Sequence, residues 1–498
     1  MRASLPSTVP AVSILAPGRN CWRIARADRA ALVVDAADYF RLARLAMLKA
    51  RAQILLIGWD FDTRIELDPA CDDGAPERLG PFLSWLAKHR PELDIRILKW
   101  DVGAIKLLGR GTTVLRLARW MASRQITFKL DGAHPVGASH HHKILVIDDA
   151  LAFCGGIDMT ADRWDTRAHE DCDRRRRRPT TGRRYMPWHD ATMAVSGAAA
   201  RALGELSRDR WTSAGGSPIG PPEVLGDPWP DELKAEFAEV DVAIARTRGA
   251  YEGNPGIREI ESLFIDMIAG ARRFVYAENQ YFASRAIAAA IAKRLAEPDG
   301  PEFVLVNPRS ADGWLEEAVM GTARARLMQA LEKADRHGRL RIYAPVTHGG
   351  DDIYVHSKIV ITDDDMLRVG SANMNNRSMG LDSECDLLID SRLPGNGLAR
   401  RRIASIRADL MAEHLGVTAA TVDANVRSSG SLIAAIEALR GRGRTLVPFT
   451  PPAHNAFEKT LADNETLDPE SAEEAFEPQT RPGPFAGLDP RNFRFGSR

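Results

Sequence analysis

The sequence predicts an α/β protein built from two similar halves with mainly parallel sheets, related by a pseudo-twofold axis and joined in one bilobed unit. Three observations support this prediction. Stretches with helical periodicity alternate with short apolar runs of strand length. The runs are apolar throughout, as in strands buried on both faces. The same order of elements also occurs twice along the chain.

The repeat is clearest around two short motifs. Residues 141–148 read HHKILVID, and residues 356–363 read HSKIVITD. The His, Lys and Asp positions of the two copies are 215 residues apart, and so are Gly155 and Gly370 further along. Each copy therefore has the form HxKxxxxD followed by a glycine turn.

The elements upstream of the motifs repeat as well. A helical pattern over residues 42–48 precedes the apolar run 54–57, and a helical pattern over residues 257–267 precedes the run 274–277. Further strands are predicted in matching order at residues 95–98, 126–130, 303–306 and 340–343.

Composition shifts predict the domain boundaries. We expect an N-terminal extension at residues 1–29, a first half at 30–211 and a second half at 241–447. The Gly- and Pro-rich stretch within 212–240 predicts a connector, and residues 174–187 predict a loop. Residues 448–498, rich in proline and acidic residues, are predicted to be a disordered tail.

Charge and cysteine content narrow the function. The chain of 498 residues has 67 basic and 67 acidic side chains, so no general attraction to nucleic acid is expected. Its five cysteines form no CxxC pair, which argues against zinc or a disulfide framework. No signal peptide and no run of 18 apolar residues is found, which predicts a cytoplasmic protein able to meet membranes peripherally. Export by a signal-less route is also compatible with the sequence.

The motifs fit phosphodiester chemistry. On a strand, His141 and Lys143 share one face, and so do His356 and Lys358. Two imidazoles and two ammonium groups would then converge on one shared active-site cleft. One imidazole can attack phosphorus and the other can protonate the leaving oxygen, while the lysines hold the non-bridging oxygens. No metal or other cofactor is required by this scheme.

Each imidazole needs a carboxylate on its far ring nitrogen. Asp190 and Glu384 stand at the starts of matching apolar runs, 49 residues after His141 and 28 residues after His356. The difference of 21 residues fits an insertion in the 174–187 loop. We therefore predict that Asp190 orients His141 and Glu384 orients His356.

Other polar positions of the repeat complete the candidate site. Asp148 and Asp363 belong to the candidate catalytic set, but their position five residues beyond the lysines favours a structural role at a strand end. The candidate substrate-binding residues are Gly156, Asp158, Ser371, Asn373, Asn279 and Gln280.

These residues resemble the duplicated-motif phospholipase D superfamily over roughly residues 30–416. The segment GSANMNNRS at 370–378 carries the general pattern, while PWHD at 187–190 and ENQYF at 278–282 resemble the eukaryotic-type branch and its bacterial relatives. The resemblance implies hydrolysis of phosphatidylcholine-like lipids at a membrane surface and transfer of the phosphatidyl group to water or an alcohol. It also implies that His141 is the nucleophile and His356 the general acid. We expect a monomer.

Alternative interpretations remain. The same site could serve a phosphatidyltransferase of the cardiolipin synthase kind, a metal-independent endonuclease, or an inactive lipid-binding module. His140 and His142 are interpreted as bystanders rather than metal ligands. The arginines of residues 174–178 are interpreted as a solvated loop rather than a headgroup site.

Overall fold

The computed structural model describes residues 12–101, 117, 119–120, 123–223, 226–309 and 322–450. The strands of the first half are β1 Arg23–Val34, β2 Gln53–Gly58, β3 Asp94–Trp100, β4 Ile126–Asp131, β5 Ile144–Ile147, β6 Leu151–Gly155, β7 Trp188–His189 and β8 Ala191–Ser196. Those of the second half are β9 Phe237–Arg248, β10 Ile257–Arg258, β11 Phe274–Glu278, β12 Glu302–Val306, β13 Leu340–Val346, β14 Tyr354–Val355, β15 Ile359–Thr362, β16 Met366–Gly370, β17 Glu384–Asp390 and β18 Thr445–Pro448.

Helices flank these strands. They are α1 Ala36–Lys49, α2 Leu79–His89, α3 Ala198–Ser213, α4 Glu259–Gly270, α5 Arg285–Leu295, α6 Thr322–Ala334, α7 Asn376–Gly380, α8 Ala399–Leu415, α9 Ala419–Ser429 and α10 Leu432–Leu439. Among the residues that the structure describes, none of these helices is long and apolar enough to cross a membrane.

One continuous sheet runs through both halves. Its order is β18-β13-β12-β11-β15-β16-β17-β9-β1-β8-β6-β5-β2-β3-β4, with β10 attached to β9. Reading outward from the central β9–β1 pair, seven strands of each half follow in the same order, and β18 is added at the edge of the second half. This is the expected pseudo-twofold arrangement. The predicted α/β fold of two similar halves is confirmed.

Strand direction changes along this sheet. The outer strands β2, β3 and β4 are parallel, as are their counterparts β11, β12 and β13. The inner strands, including β1 and β9, are antiparallel. The parallel pairing expected from the sequence therefore describes the outer part of each half, where helices connect the strands.

The predicted helices and strands upstream of the motifs are found as α1, β2, β3 and β4 and as α4, β11, β12 and β13. The two central strands begin inside segments expected to be irregular: β1 begins at Arg23 in the predicted extension, and β9 begins at Phe237 in the predicted connector. Strand β18 pairs with β13 up to Pro448. The rest of the predicted tail, residues 451–498, lies outside the described residues.

The apolar runs of both motifs lie in the core. Every residue of β5 and of β15 is buried. Burial of each such aliphatic side chain contributes about 1.5–3 kcal/mol relative to exposure. These strands therefore anchor the chain immediately after each His-Lys pair.

Candidate active site

The motif histidines lie on extended segments that precede β5 and β15 and pair with the opposite half. The His141 amide donates to the Ser383 carbonyl at 2.9 Å, and the His356 amide donates to the His189 carbonyl at 2.7 Å. Just before His356, β14 forms a short parallel ladder with β7 of the first half. Each motif histidine thus pairs with the opposite half, immediately before a strand that belongs to its own half.

This exchange reverses the predicted carboxylate pairing. His141 Nδ1 lies 3.0 Å from Glu384 Oε2, and His356 Nδ1 lies 2.6 Å from Asp190 Oδ2. The prediction that Asp190 serves His141 and Glu384 serves His356 is wrong. Position along the chain does not distinguish pairing within a half from pairing across the interface.

The two carboxylates are supported differently. Glu384 accepts hydrogen bonds from Ser371 Oγ at 2.5 Å and from Ser378 Oγ at 2.7 Å. Asp190 accepts one from the Ala191 amide at 2.8 Å, and its carboxylate fills the space that a Cβ on Gly156 would need. Gly156 therefore makes room for the orienting carboxylate.

The ammonium groups of both motif lysines contact polar neighbours. Lys143 Nζ lies 3.1 Å from Asp158 Oδ2. Lys358 Nζ donates to Gln280 Oε1 at 3.2 Å and to the His356 carbonyl. Burial lowers the pKa of Lys358 to about 7, and nearby Lys143 adds to this effect. Lys358 can therefore lose its charge within the physiological pH range.

Burial also governs the imidazole–carboxylate pairs. It holds the pKa of His141 well below its ordinary value, with Lys143 and Lys358 adding to the effect. Burial, with Lys358 and Arg163, does the same for His356. Burial raises the pKa of Glu384 to about 8 and also raises the pKa of Asp190. A neutral imidazole is a nucleophile, so these lowered pKa values favour the attacking form.

Both imidazoles face one cavity of about 520 Å³. Asp158, Gln280 and Asn373 of the predicted substrate-binding set line it as well. Trp59, Trp100 and Trp188 supply apolar walls. The cavity thus places two ring nitrogens between polar groups and a tryptophan-rich surface.

Two members of the predicted substrate-binding set have other partners. The Ser371 hydroxyl donates to Glu384, and Asn279 Oδ1 accepts from the Met374 amide at 2.9 Å. Neither lines the cavity. Both side chains therefore hydrogen-bond to neighbouring residues of the site and do not face the cavity. The sequence could not reveal this, because a hydroxyl or an amide can either bind substrate or hold another residue in place.

The motif aspartates lie away from the cavity. The Asp148 carboxylate accepts hydrogen bonds from the backbone amides of residues 51, 52 and 53 at 2.7, 2.8 and 2.7 Å. The Asp363 carboxylate accepts hydrogen bonds from the backbone amides of residues 272, 273 and 274 at 2.7, 2.7 and 3.0 Å. Both adopt positive φ, 52° and 56°. Their inclusion in the catalytic set is not supported, because their oxygens are saturated by the start of the neighbouring strand.

Arg163 is a cation that the sequence analysis did not assign to the site. It lines the cavity, is 9% exposed and lies over the Trp188 ring at 4.3 Å from the centroid. Trp188 in turn stacks on Tyr354 at 4.5 Å. The sequence feature that could have pointed to Arg163 is its place in the segment RWD at 163–165, between the first motif and PWHD at 187–190. A buried guanidinium facing the cavity can bind a phosphate oxygen.

The remaining basic and histidine motifs have other surroundings. The rings of His140 and His142 are buried against each other at 4.7 Å and do not line the cavity. Within the predicted solvated loop, Arg176 is an exception. It is buried and pairs with Asp165 at 2.9 Å, because the loop folds back onto a buried acidic group.

Parts of the sequence are similar to known proteins. Residues 264–404 match the family model described as cardiolipin synthase, PLD-like domain. The chain is 26% identical to phospholipase D A of Dictyostelium discoideum, covering 78% of this chain and 35% of that protein. It is 25% identical to phospholipase D alpha 1 of Carica papaya, covering 75% of this chain and 63% of that protein. The chain therefore spans less than two thirds of the length of either relative.

The fold is also similar to a solved structure. The crystal structure of a phosphatidylserine synthase from Haemophilus influenzae aligns with a TM-score of 0.54 at 15% identity, covering 77% of this chain and 87% of that one. This likeness concerns the fold alone.

Proposed function

This chain belongs to the phospholipase D superfamily, and we propose that it cleaves glycerophospholipids such as phosphatidylcholine to phosphatidic acid and the headgroup alcohol. The observation that carries the proposal is the pair of imidazole–carboxylate contacts, His141–Glu384 and His356–Asp190, on one cavity. Relatives named phospholipase D support the same chemistry.

The first step forms a covalent intermediate. With Nδ1 bound to Glu384, the free Nε2 of His141 faces the cavity and attacks phosphorus. The N–P bond forms as the bond from phosphorus to the headgroup oxygen breaks. His356, held by Asp190, gives its Nε2 proton to that oxygen.

The second step regenerates the enzyme. His356 Nε2, now neutral, takes a proton from water or an alcohol, whose oxygen attacks the phosphohistidine. The N–P bond breaks, and phosphatidic acid or a new phosphatidyl alcohol leaves. The Asp190 carboxylate stabilises the imidazolium of His356 at both stages.

The cations stabilise the charge that develops on phosphorus. Lys143, Lys358 and Arg163 are the buried basic groups around the two imidazoles. Binding of the anionic phosphate raises the pKa of His356 and Lys358 towards their charged forms, because an opposite charge offsets their burial. The substrate itself thereby prepares the general acid.

The tryptophan-lined cavity fits a lipid presented from a membrane surface. Trp59 and Trp100 stack at 5.8 Å beside the catalytic groups. Aromatic rings of this kind suit the boundary between acyl chains and headgroups. We propose a cytoplasmic monomer that meets the membrane peripherally and uses water or an alcohol as acceptor.

A phosphatidyltransferase is the second candidate, because the matching family model is described by cardiolipin synthase. It shares both chemical steps and differs only in the acceptor. A lipid hydroxyl would then replace water in the second step.

One experiment separates these functions. Purified protein is incubated with phosphatidylcholine vesicles and ethanol, with phosphatidylglycerol vesicles, and with plasmid DNA, each in a short assay containing EDTA. Free choline and phosphatidylethanol are expected. Cardiolipin formed without choline release would favour the phosphatidyltransferase, and DNA nicking without lipid turnover would contradict the proposal.

A further inference from the structure

A second group of titratable side chains lies behind the His356–Asp190 pair, outside the catalytic cavity. It comprises Asp35, His169, His189 and Glu413, whose ligand atoms all lie within 4.8 Å of one another. All four residues are buried, with exposures of 1%, 1%, 0% and 5%. They come from the segment before α1, the 166–190 region and α8.

The donor atoms of this group lie close enough together to share one cation. Glu413 Oε1 lies 3.0 Å from His169 Nε2 and 2.9 Å from His189 Nδ1. Asp35 oxygens lie 3.6 Å from His169 Nε2 and 3.3 Å from His189 Nδ1. Bonds of the length found for zinc to nitrogen and oxygen give tetrahedral edges of about 3.3–3.6 Å. The two Asp35 separations, 3.6 and 3.3 Å, fall within this range, and the two Glu413 separations, 3.0 and 2.9 Å, lie below it.

A carboxylate holds the far nitrogen of each histidine. His169 Nδ1 lies 3.0 Å from Asp165, and His189 Nε2 lies 2.8 Å from Glu278. Metal-binding histidines usually donate their other ring N–H to such a partner, which fixes the tautomer and aims the free nitrogen. Both histidines are therefore oriented towards the same point.

One acidic oxygen in the group is left without a hydrogen bond. Asp35 Oδ2 is fully buried and accepts no hydrogen bond from the described residues, and its ion-pair contact with His169 Nε2 is long, at 3.6 Å. A buried carboxylate oxygen that accepts no hydrogen bond is unfavourable unless a cation satisfies it. This oxygen points to a ligand that the side chains alone do not supply.

We infer that Asp35, His169, His189 and Glu413 bind one divalent cation, with zinc the best fit to a donor set of two nitrogens and two carboxylates. A divalent ion carries the same charge as the two protons that would otherwise sit between the histidines and these carboxylates. The ion changes the expectation of a metal-free protein but not the proposed reaction, since none of its ligands lines the catalytic cavity.

The ion would fix the geometry of the general acid. The Asp35 amide donates to the Asp190 carbonyl at 2.7 Å, and the Asp190 amide donates to Asp35 Oδ1 at 3.1 Å. Glu278, which also contacts His189, accepts a hydrogen bond from the hydroxyl of Ser357 at 2.9 Å, and Ser357 follows His356 in the chain. Both members of the Asp190–His356 pair are thus tied to the group.

The test is metal analysis of the full chain, which does not depend on activity. Protein purified without an affinity metal and dialysed against EDTA is analysed by plasma mass spectrometry. About one equivalent of a divalent metal is expected, because all four ligands are buried and EDTA reaches them only when the protein opens. Protein unfolded with EDTA and refolded with zinc should regain the metal and melt at a higher temperature than protein refolded without it.

Two variants sharpen the assignment. Glu413→Gln keeps the shape of the side chain but removes its charge, so metal content should fall roughly tenfold or more. His89→Asn replaces an exposed histidine of α2 and should leave the content unchanged.

A folded, active wild-type protein with less than about a tenth of an equivalent of metal would overturn the inference. So would refolding without metal to the full melting temperature. The group would then be a network of protonated histidines and carboxylates. Turnover in the EDTA assay would still support the proposed function. A failure of the metal inference can therefore be distinguished from a failure of the proposed function.

Discussion

Glu384 and Asp190 hold the motif histidines in unlike surroundings. Glu384 is bound by two serine hydroxyls, whereas Asp190 is bound by one backbone amide. Their removal should therefore affect different steps. In the proposed mechanism Glu384 orients the nucleophile His141 and Asp190 orients the general acid His356, because each carboxylate contacts that imidazole.

Neutral carboxylate variants test the crossed pairing. Asp190→Asn should lower turnover of phosphatidylcholine by on the order of 10²–10⁴-fold, but much less for a substrate with a nitrophenol headgroup, which leaves without a proton. Glu384→Gln should lower both rates similarly, because attack on phosphorus is impaired. Because His356 also acts in the second step, the rate of headgroup release in the first turnover is measured with the two substrates. If the nitrophenol substrate rescued Glu384→Gln and not Asp190→Asn, the result would favour pairing within each half instead.

The charge of Lys358 should set the alkaline limit of the free enzyme. Its pKa of about 7 leaves it charged below this pH and neutral above it. We expect kcat/KM for phosphatidylcholine to fall as the pH rises above about 7, because a phosphate-binding cation is lost. Lys358→Arg should remove this fall while lowering the rate, since guanidinium stays charged. An unchanged alkaline fall in this variant would assign it to another group.

At the scale of elements, the glycine turn after β6 limits how close the halves can approach. Gly156 lies against the Asp190 carboxylate, where a Cβ would overlap an oxygen. Gly156→Ala should displace the carboxylate and lower kcat on the order of 10²-fold with the fold retained. Activity and circular dichroism provide the readout. Gly397→Ala, with no atom within 4 Å of the added Cβ, is the matched control. Equal activity of the two variants would contradict this role.

The motif aspartates connect β5 and β15 to the starts of β2 and β11. Asp148→Asn loses part of a three-amide contact, so we expect a loss of about 1–3 kcal/mol in the free energy of unfolding. The denaturation midpoint should fall while kcat changes little. Asp72→Asn, at an exposed position, is the control. A large loss of kcat at unchanged stability would instead return Asp148 to the catalytic set.

The sequence predicts these elements well because their information is local. Apolar runs such as those of β5 and β15 have no stable place outside a core, so their periodicity reveals them directly. Strand direction and the start of β1 and β9 are less evident. They depend on which strand lies next to which, and a short apolar run fits either a parallel or an antiparallel neighbour.

At the scale of the whole molecule, contacts across the interface hold the site together without the connector. β1 and β9 pair along the centre of the sheet, and β7 pairs with β14 beside the cavity. A protease site inserted between Gly220 and Pro221, an exposed segment, tests this directly. The cut protein should elute as one species and retain activity, whereas separation of the fragments without denaturant would contradict it. The uncut insertion variant is the control.

The sequence by itself determined the duplicated motif, the α/β halves and the set of imidazoles, lysines and carboxylates, because these follow from residue type and spacing. Only the tertiary structure decided that His141 uses Glu384 and that His356 uses Asp190. The reason is that the segments carrying the histidines hydrogen-bond with the opposite half. Spacing along a chain is identical for both arrangements, whereas backbone pairing across the interface allows one.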